Sequence, residues 1–288
     1  MRTMTISDTS RAPLTANVTR LGRSAIDECR DLAESRHWDR EERKWDLLFA
    51  VGEVYGIRDQ DGELATAAVL ARNGATTATI GMVLTAERYE RRGLGAATVR
   101  HLVSVADSAV LTMYATENGR PLYERLGFVA DGVNTSYRGT VTAETSTGRS
   151  RPAEPADLPG IRAVDAHAHG ADRSKVLNRL PRFCSHLRVL DDHGAVTGYA
   201  GAWPNDTTTV VGPVIAANED DALALVTDLV ADIDGPIRLE AHSTRPRLTE
   251  WARSRDLSGF DTTTMTYRGE DHPGARDHWW SPITVALG

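Results

Sequence analysis

A glycine-rich turn placed between a buried strand and a helix leaves a chain few folding choices, and residues 76–105 have that layout. Residues 76–85 are β-branched and apolar enough for a buried strand, whereas Val99, Leu102, Val103 and Ala106 recur at helical spacing. Between them lies Arg91-Arg92-Gly93-Leu94-Gly95-Ala96. Glycines there let the backbone approach a ligand closely, and the N–H groups and dipole of a helix start suit a phosphate. A short turn of this kind also serves packing alone. Gly93-x-Gly95-x-x-Thr98 is one glycine short of the dinucleotide fingerprint, and it does not follow a first strand.

About twenty residues on, Asn118-Gly119-Arg120-Pro121-Leu122-Tyr123-Glu124-Arg125-Leu126-Gly127-Phe128 supplies a second block. With both blocks in this order and spacing, the chain resembles the GNAT superfamily of acetyl-CoA-dependent N-acyltransferases. That family's phosphate loop reads Gln/Arg-x-x-Gly-x-Gly/Ala and its later block reads Asn…Tyr-x-x-x-Gly-Phe. The resemblance implies acetyl-CoA as cosubstrate, with its diphosphate on Arg91, Arg92, Gly93, Leu94, Gly95 and Ala96. Val83, Leu84 and Thr85 would offer backbone N–H groups to the thioester oxygen and the pantetheine arm. Asn118 would bond the cofactor or cap the following helix. Tyr123 would protonate the departing thiolate in a ternary complex, against the alternative of a core aromatic. One residue departs from the pattern: Glu90 stands where the family has Gln or Arg, and a carboxylate aimed at a diphosphate costs affinity.

An ammonium acceptor must lose a proton before it attacks, and GNAT enzymes often use a strand Glu for this. Residues 77–85 contain none. Asp165, Asp172 or Glu240 of the second half are the candidates, or the amine binds already neutral. His37 and Trp38 fall in the helical region that borders the acceptor in GNAT folds, where an aromatic ring can stack on a substrate or hold a cation. Trp45 reads as core, and Trp279-Trp280 as residues that dock the chain's tail. His167 and His169 would share a face of a strand but point about 200° apart on a helix, and no third ligand stands nearby, so no metal is expected. Cys29 and Cys184 form no paired motif and read as small buried residues.

At 288 residues the chain exceeds the usual size of one domain. Pro152, Pro155 and Pro159 close a stretch rich in Thr, Ser and Gly, which divides it. The expected organisation is a flexible tail (1–13), a GNAT acetyl-CoA-binding domain (14–139), a linker (140–150) and a diverged GNAT-like domain (151–288). The fold class is α/β (α+β), each half a mixed central sheet flanked by helices. In the first half helices are expected near 22–35, 38–49 and 120–126. In the second half they are expected near 157–168, 173–181, 219–233 and 247–255, with a last strand at 262–268. The second half has no usable phosphate turn: Asn218-Glu219-Asp220-Asp221 puts three carboxylates into a helix's first turn, which suits the helix dipole and repels a diphosphate. The run Asp165 to Arg173, with Gly198-Tyr199 and Gly212-Pro213, resembles tandem members of the superfamily of the YitH and holothin-acyltransferase type.

The function this implies is acetyl (or other short acyl) transfer to a primary amine of a small molecule, with protein lysine or N-terminal acetylation and a noncatalytic acyl-CoA sensor as alternatives. A net charge of −7, concentrated in the second half, argues against nucleic acid as a partner. No apolar run is long enough to span a membrane, and residues 1–13 lack a signal-peptide core, so a cytoplasmic protein is expected. A tandem chain provides its own pseudo-dimer, so a monomer is expected.

Overall fold

The computed structural model describes residues 17–107, 109–142, 144–269 and 272–288; the expected tail, residues 1–13, lies outside them. The first half runs β1 (Thr19–Arg20), α1 (Ile26–Ser35), α2 (Glu42–Val51), β2 (Glu53–Arg58), β3 (Leu64–Asn73), β4 (Thr77–Thr85), α3 (Leu94–Val105), β5 (Val110–Ala115), α4 (Arg120–Arg125) and β6 (Val129–Thr140). The second runs β7 (Arg151–Pro152), α5 (Leu158–His169), α6 (Ser174–Leu177), α7 (Leu180–Phe183), β8 (His186–Asp192), β9 (Ala195–Asn205) and β10 (Thr208–Ala216). It ends with α8 (Glu219–Val230), β11 (Pro236–His242), α9 (Pro246–Arg253), β12 (Ser258–Tyr267) and β13 (Trp279–Ser281).

The halves share one mixed sheet in the order β1-β2-β3-β4-β5-β12-β6-β11-β10-β9-β8-β7, with β13 against β10. The last long strand of each half is therefore exchanged. β12 pairs with β5 through Thr263 to Tyr267, while β6 pairs with β11 through Asn134 to Thr140. Side-chain burial follows the exchange. Met265 of β12 packs into the core beneath α3, with Val99, Leu102 and Phe128, and Tyr137 of β6 packs into the core beneath α8, with Leu225 and Leu239. Each is almost wholly buried and contributes on the order of 1.5–3 kcal/mol of hydrophobic stabilisation.

On the other face of the sheet the halves share a core. Trp45 and Leu48 of α2 join Phe183, Trp203 and Leu177 of the second half, and the final segment adds Ile283, Ala286 and Leu287. A buried polar cluster crosses the same interface. Glu41 accepts hydrogen bonds from Asn205 Nδ2 (3.0 Å) and Arg238 Nη1 (3.1 Å) and pairs with Lys44, and Glu240 accepts from Asn134 Nδ2 at 2.7 Å. Each carboxylate is thus paired with a cation or an amide, which a buried charge requires.

The central strands part on purpose. Val69 of β3 faces Gly81 of β4, but Ala67 faces Leu84, so Met82 and Val83 together oppose Ala68 and β4 bulges by one residue, with Met82 at φ 51°. The parallel β4–β5 ladder spans only Thr77 to Thr79, and beyond it the strands splay. β10 repeats the device: its parallel ladder with β11 stops at Val211, where a register shift against β9 begins. There, however, β13 enters the gap, pairing Ser281 with Val214 and Trp279 with Ile215.

Three expectations on elements need correction. Residues 38–41 are not helical: α2 starts at Glu42 because Glu41, at φ 45°, is turned into the polar cluster. The expected helix 173–181 is two one-turn helices, α6 and α7, with Pro181 at the start of the second. β12 begins at Ser258 rather than 262, because Gly259 and Phe260 pair with Tyr137 and Ser136.

Candidate functional site

The splay of β4 and β5 opens into a cleft of about 1140 Å³. Its floor is set by the turn before α3. Arg91 (φ 57°) and Gly93 (φ 79°) both adopt left-handed backbone, and a Cβ at Gly93 would meet nothing within 4 Å. The turn curls, and the first-turn N–H groups of Leu94, Gly95 and Ala96 have no partner earlier in the helix. Gly95 lies against Thr85, where a Cβ would come within 3.2 Å of its Oγ1. Two anchors hold the turn. Thr98 Oγ1 bonds Leu94 O (3.0 Å) and Thr66 Oγ1 (2.9 Å), and the Tyr89 hydroxyl donates to Asp59 at 2.6 Å.

Gly93, Leu94, Gly95 and Ala96 all line the cleft, as do Val83, Leu84, Thr85, Arg91 and Asn118. Arg92 does not: its guanidinium stacks on the Tyr89 ring at 5.5 Å, steadying the turn from behind. Arg100 of α3 and Arg125 of α4 line it instead, and the sequence reading missed both because nothing in their spacing ties them to the turn. Asn118 is exposed and makes no capping bond to α4, whose cap is Gly119.

Tyr123 stands opposite the turn, and Pro121 at the start of α4 favours the helix that carries it. Its ring packs edge-on to Phe128 (6.3 Å) and against Gly119, where a Cβ would come within 3.0 Å of the ring. A side chain at position 119 would push the phenol away. Burial pushes the Tyr123 hydroxyl up to about 12, so it carries its proton at neutral pH.

Glu90 lines the cleft, but its carboxylate pairs with Arg36 at the end of α1. The departure from the family pattern thus becomes a tie between the glycine turn and the α1–α2 loop. Trp38, in that loop, lines the cleft and is exposed, and Phe260 of β12 faces the same mouth at 61 % exposure. The strand exchange is what brings Phe260 there. His37 is exposed beside Trp38, at φ 60°, and is not on the cleft wall.

The second-half carboxylates lie elsewhere. Asp165 of α5 is fully buried, accepting from Tyr199 Oη at 2.5 Å and facing Arg173 Nε at 3.7 Å. Glu240 belongs to the polar cluster between the halves. Asp172 is tied to Ser174. His169 Nδ1 bonds the Asp165 carbonyl, and its Nε2 accepts from Arg173. Among the residues that line the cleft, Glu90 is the one carboxylate.

Family models agree with this geometry on both halves. Residues 22–128 match the acetyltransferase (GNAT) family, and residues 161–281 match an acetyltransferase (GNAT) domain. The chain is 26% identical over 257 residues to a Bacillus subtilis (strain 168) protein, the uncharacterized N-acetyltransferase YitH, covering 86% of this chain and 89% of that one. Among solved structures, a putative acetyltransferase from Pyrococcus horikoshii superposes with a TM-score of 0.79 at 15% identity, over 94% of this chain and 95% of that chain. A tandem GNAT protein from the clavulanic acid biosynthesis pathway gives a TM-score of 0.59 at 13% identity, over 87% and 98%. At such identities the structural likeness speaks for the fold.

Proposed function

The chain belongs to the GNAT acetyltransferases, with two of the family's domains in tandem, and from that premise we propose that its first half transfers the acetyl group of acetyl-CoA to a primary amine of a small molecule. One observation carries the reading: the curled turn, the unpaired edge of β4 and the Tyr123 phenol meet in a single cleft.

The cleft fits the cosubstrate. Free N–H groups at the start of α3, with Arg91, Arg100 and Arg125 around them, suit a diphosphate and a further phosphate. Beyond Thr79 the β4 edge has lost its β5 partner, so the backbone at Val83 to Thr85 is free to bond an amide-bearing arm and to stabilise charge on the thioester oxygen. The amine attacks the thioester carbon to form the C–N bond, the C–S bond breaks, Tyr123 gives its proton to the leaving sulfur, and the surplus proton on nitrogen restores the Tyr123 hydroxyl. Because the cleft's one carboxylate is held by Arg36, the acceptor reaches the cleft as the neutral amine.

A small acceptor is favoured because the α1–α2 loop is fastened across the mouth. Arg36 pairs with Glu90, Asp39 faces Arg138 at 3.5 Å, and the Glu41 N–H donates to Asp206 at 2.8 Å. A peptide would have to displace it. The second half has lost its own cleft, since β13 fills the β10–β11 gap and acids occupy the start of α8.

Calorimetric titration with acetyl-CoA, beside a Gly93→Glu, Gly95→Glu variant, tests the site, and release of free thiol with a panel of amines tests the reaction. Binding abolished in the variant and thiol released with some amine are the expected results. Binding without thiol release for any amine would leave the acyl-CoA sensor as the better reading.

A further inference from the structure

Among the described residues, the large apolar side chains left exposed are Trp38, Val129, Val133 and Phe260, and Trp38 and Phe260 line the same cleft. Neither ring stacks on another ring or on a guanidinium there. Single exposed apolar groups are ordinary, whereas two aromatic rings at one cleft mouth mark a binding surface.

The rings come from different halves, and both backbones are fixed. The Trp38 N–H donates to the Ala33 carbonyl at 3.1 Å, and Asp39 beside it faces Arg138 Nη1 of β6 at 3.5 Å. Phe260 pairs directly with Ser136, two residues before Arg138, so its ring and the Arg138 side chain rise from the same face of the sheet. Met265, five residues further along β12, points to the other face, into the core beneath α3. The pairing of β12 with β5 stops at Thr263 and Ala115, so Phe260 stands past the end of β5, on the rim of the cleft.

The cleft therefore has two sides. The glycine turn, α3 and α4 stand on one, with Arg91, Arg100 and Arg125. Trp38 and Phe260 stand on the other, where Arg36 and Glu90 satisfy each other.

We infer that Trp38 and Phe260 form an aromatic clamp for an acceptor amine with a flat apolar body, and that Phe260, a residue of the second half, sets acceptor choice for the first half. This rests on the acyl-transfer reading of the cleft. The phosphates of acetyl-CoA take the arginine side, so the amine reaches the thioester from the side of the rings. A cationic body is poorly served there: the Glu90 carboxylate is already paired, Arg36 repels a second cation, and an exposed ring holds one only weakly. A flat ring is well served, because it buries apolar area against both side chains and stacks on each.

Thiol release is followed with phenethylamine, propylamine and putrescine in the wild type and in Phe260→Ala, Phe260→Leu and Trp38→Ala. Calorimetric titration of phenethylamine, with coenzyme A present, reads binding apart from turnover. The wild type should favour phenethylamine over each of the others by at least about tenfold in kcat/KM. That preference over propylamine should fall roughly fivefold to thirtyfold in Phe260→Ala and in Trp38→Ala, through KM, while Phe260→Leu keeps part of it. Phenethylamine binding should weaken by a similar factor in both alanine variants. Propylamine or putrescine used as well as phenethylamine, or an unchanged preference in the alanine variants, would overturn the clamp and leave acyl transfer standing. Should no amine release thiol, the acyl-transfer reading fails by itself and the titration decides the clamp: weaker binding in the variants sustains an aromatic ligand site, and absent or unaltered binding overturns it.

Discussion

Tyr123 lines the cleft and is kept protonated by its burial, with its hydroxyl pushed up to about 12, as the proposed proton donor has to be. Tyr123→Phe should lower kcat by about 10²-fold or more while the acetyl-CoA Kd stays unchanged, as read by steady-state kinetics beside calorimetry. A fall in affinity with kcat intact would make the ring a packing residue. The same value shapes the pH profile: kcat/KM should rise with pH until the acceptor amine's own pKa and show no falling limb below about pH 11. A plateau near neutrality, well under the amine's pKa, would reveal a protein base. His169 gives a stability test. Burial first, and then the Arg173 guanidinium, lower it to about 3, so the neutral ring is the folded form. Its folded pKa is depressed, so the stability it gives is present above the unfolded value near 6.5 and is lost as pH falls toward 3. Each pH unit in that window should cost about 1.4 kcal/mol, or roughly 3 °C in Tm, and His169→Gln should flatten the slope. At this scale the sequence pointed to residues that do share one cleft where backbone and motif coincide, at Gly93, Gly95 and Tyr123. Arg36, Arg100, Arg125 and Phe260 were not, since they reach the cleft only through tertiary packing.

Among the elements, β4 and β10 carry the same bulge and differ in what lies beside it. β4 keeps an open edge, whereas β10 receives β13, and Gly212 is the residue that permits the approach. A Cβ there would fall 2.1 Å from the Pro282 carbonyl oxygen. Gly212→Ala should therefore force the final segment off β10, with a cost of about 1–3 kcal/mol and a Tm lowered by roughly 3–10 °C. Trp280, buried at 7 % exposure, should move into water and shift the fluorescence emission to the red. An unchanged Tm and emission would mean that β13 contributes nothing to the second half. β13 was invisible in the sequence, where Trp279-Trp280 read only as a docking segment, because a three-residue strand has too short a period to read. Helix and strand positions elsewhere were legible from apolar spacing. The misses at 38–41 and at Gly259-Phe260 occur where contacts between the halves decide the backbone: the Glu41 cluster in one, pairing with β6 in the other.

At the scale of the molecule, pattern and motif pointed to two similar halves, but nothing local to either half reports the strand exchange between them. In the intact chain β12 occupies the place beside β5, and β6 lies between it and β11. A chain cut after residue 142 keeps β5 and β6 but loses both partners of β6, together with the residues of the second half that complete the core around Trp45 and Leu48. It exposes a strand edge and an apolar face at once, which is the state most prone to pair with another copy. The pseudo-twofold arrangement supplies the geometry: two copies of the first half can lay their β6 strands side by side, each next to the other's β5. Residues 1–142 alone should therefore run as a homodimer, or aggregate, in light scattering coupled to size-exclusion chromatography. Adding the separately produced residues 144–288 should convert it to a one-to-one complex that binds acetyl-CoA. The full chain, with both exchanges satisfied internally, should remain monomeric over the same concentrations. A first half that stays monomeric and melts cooperatively would show that β6 can fold back beside its own β5, and that the tandem joins two self-sufficient domains instead of completing one.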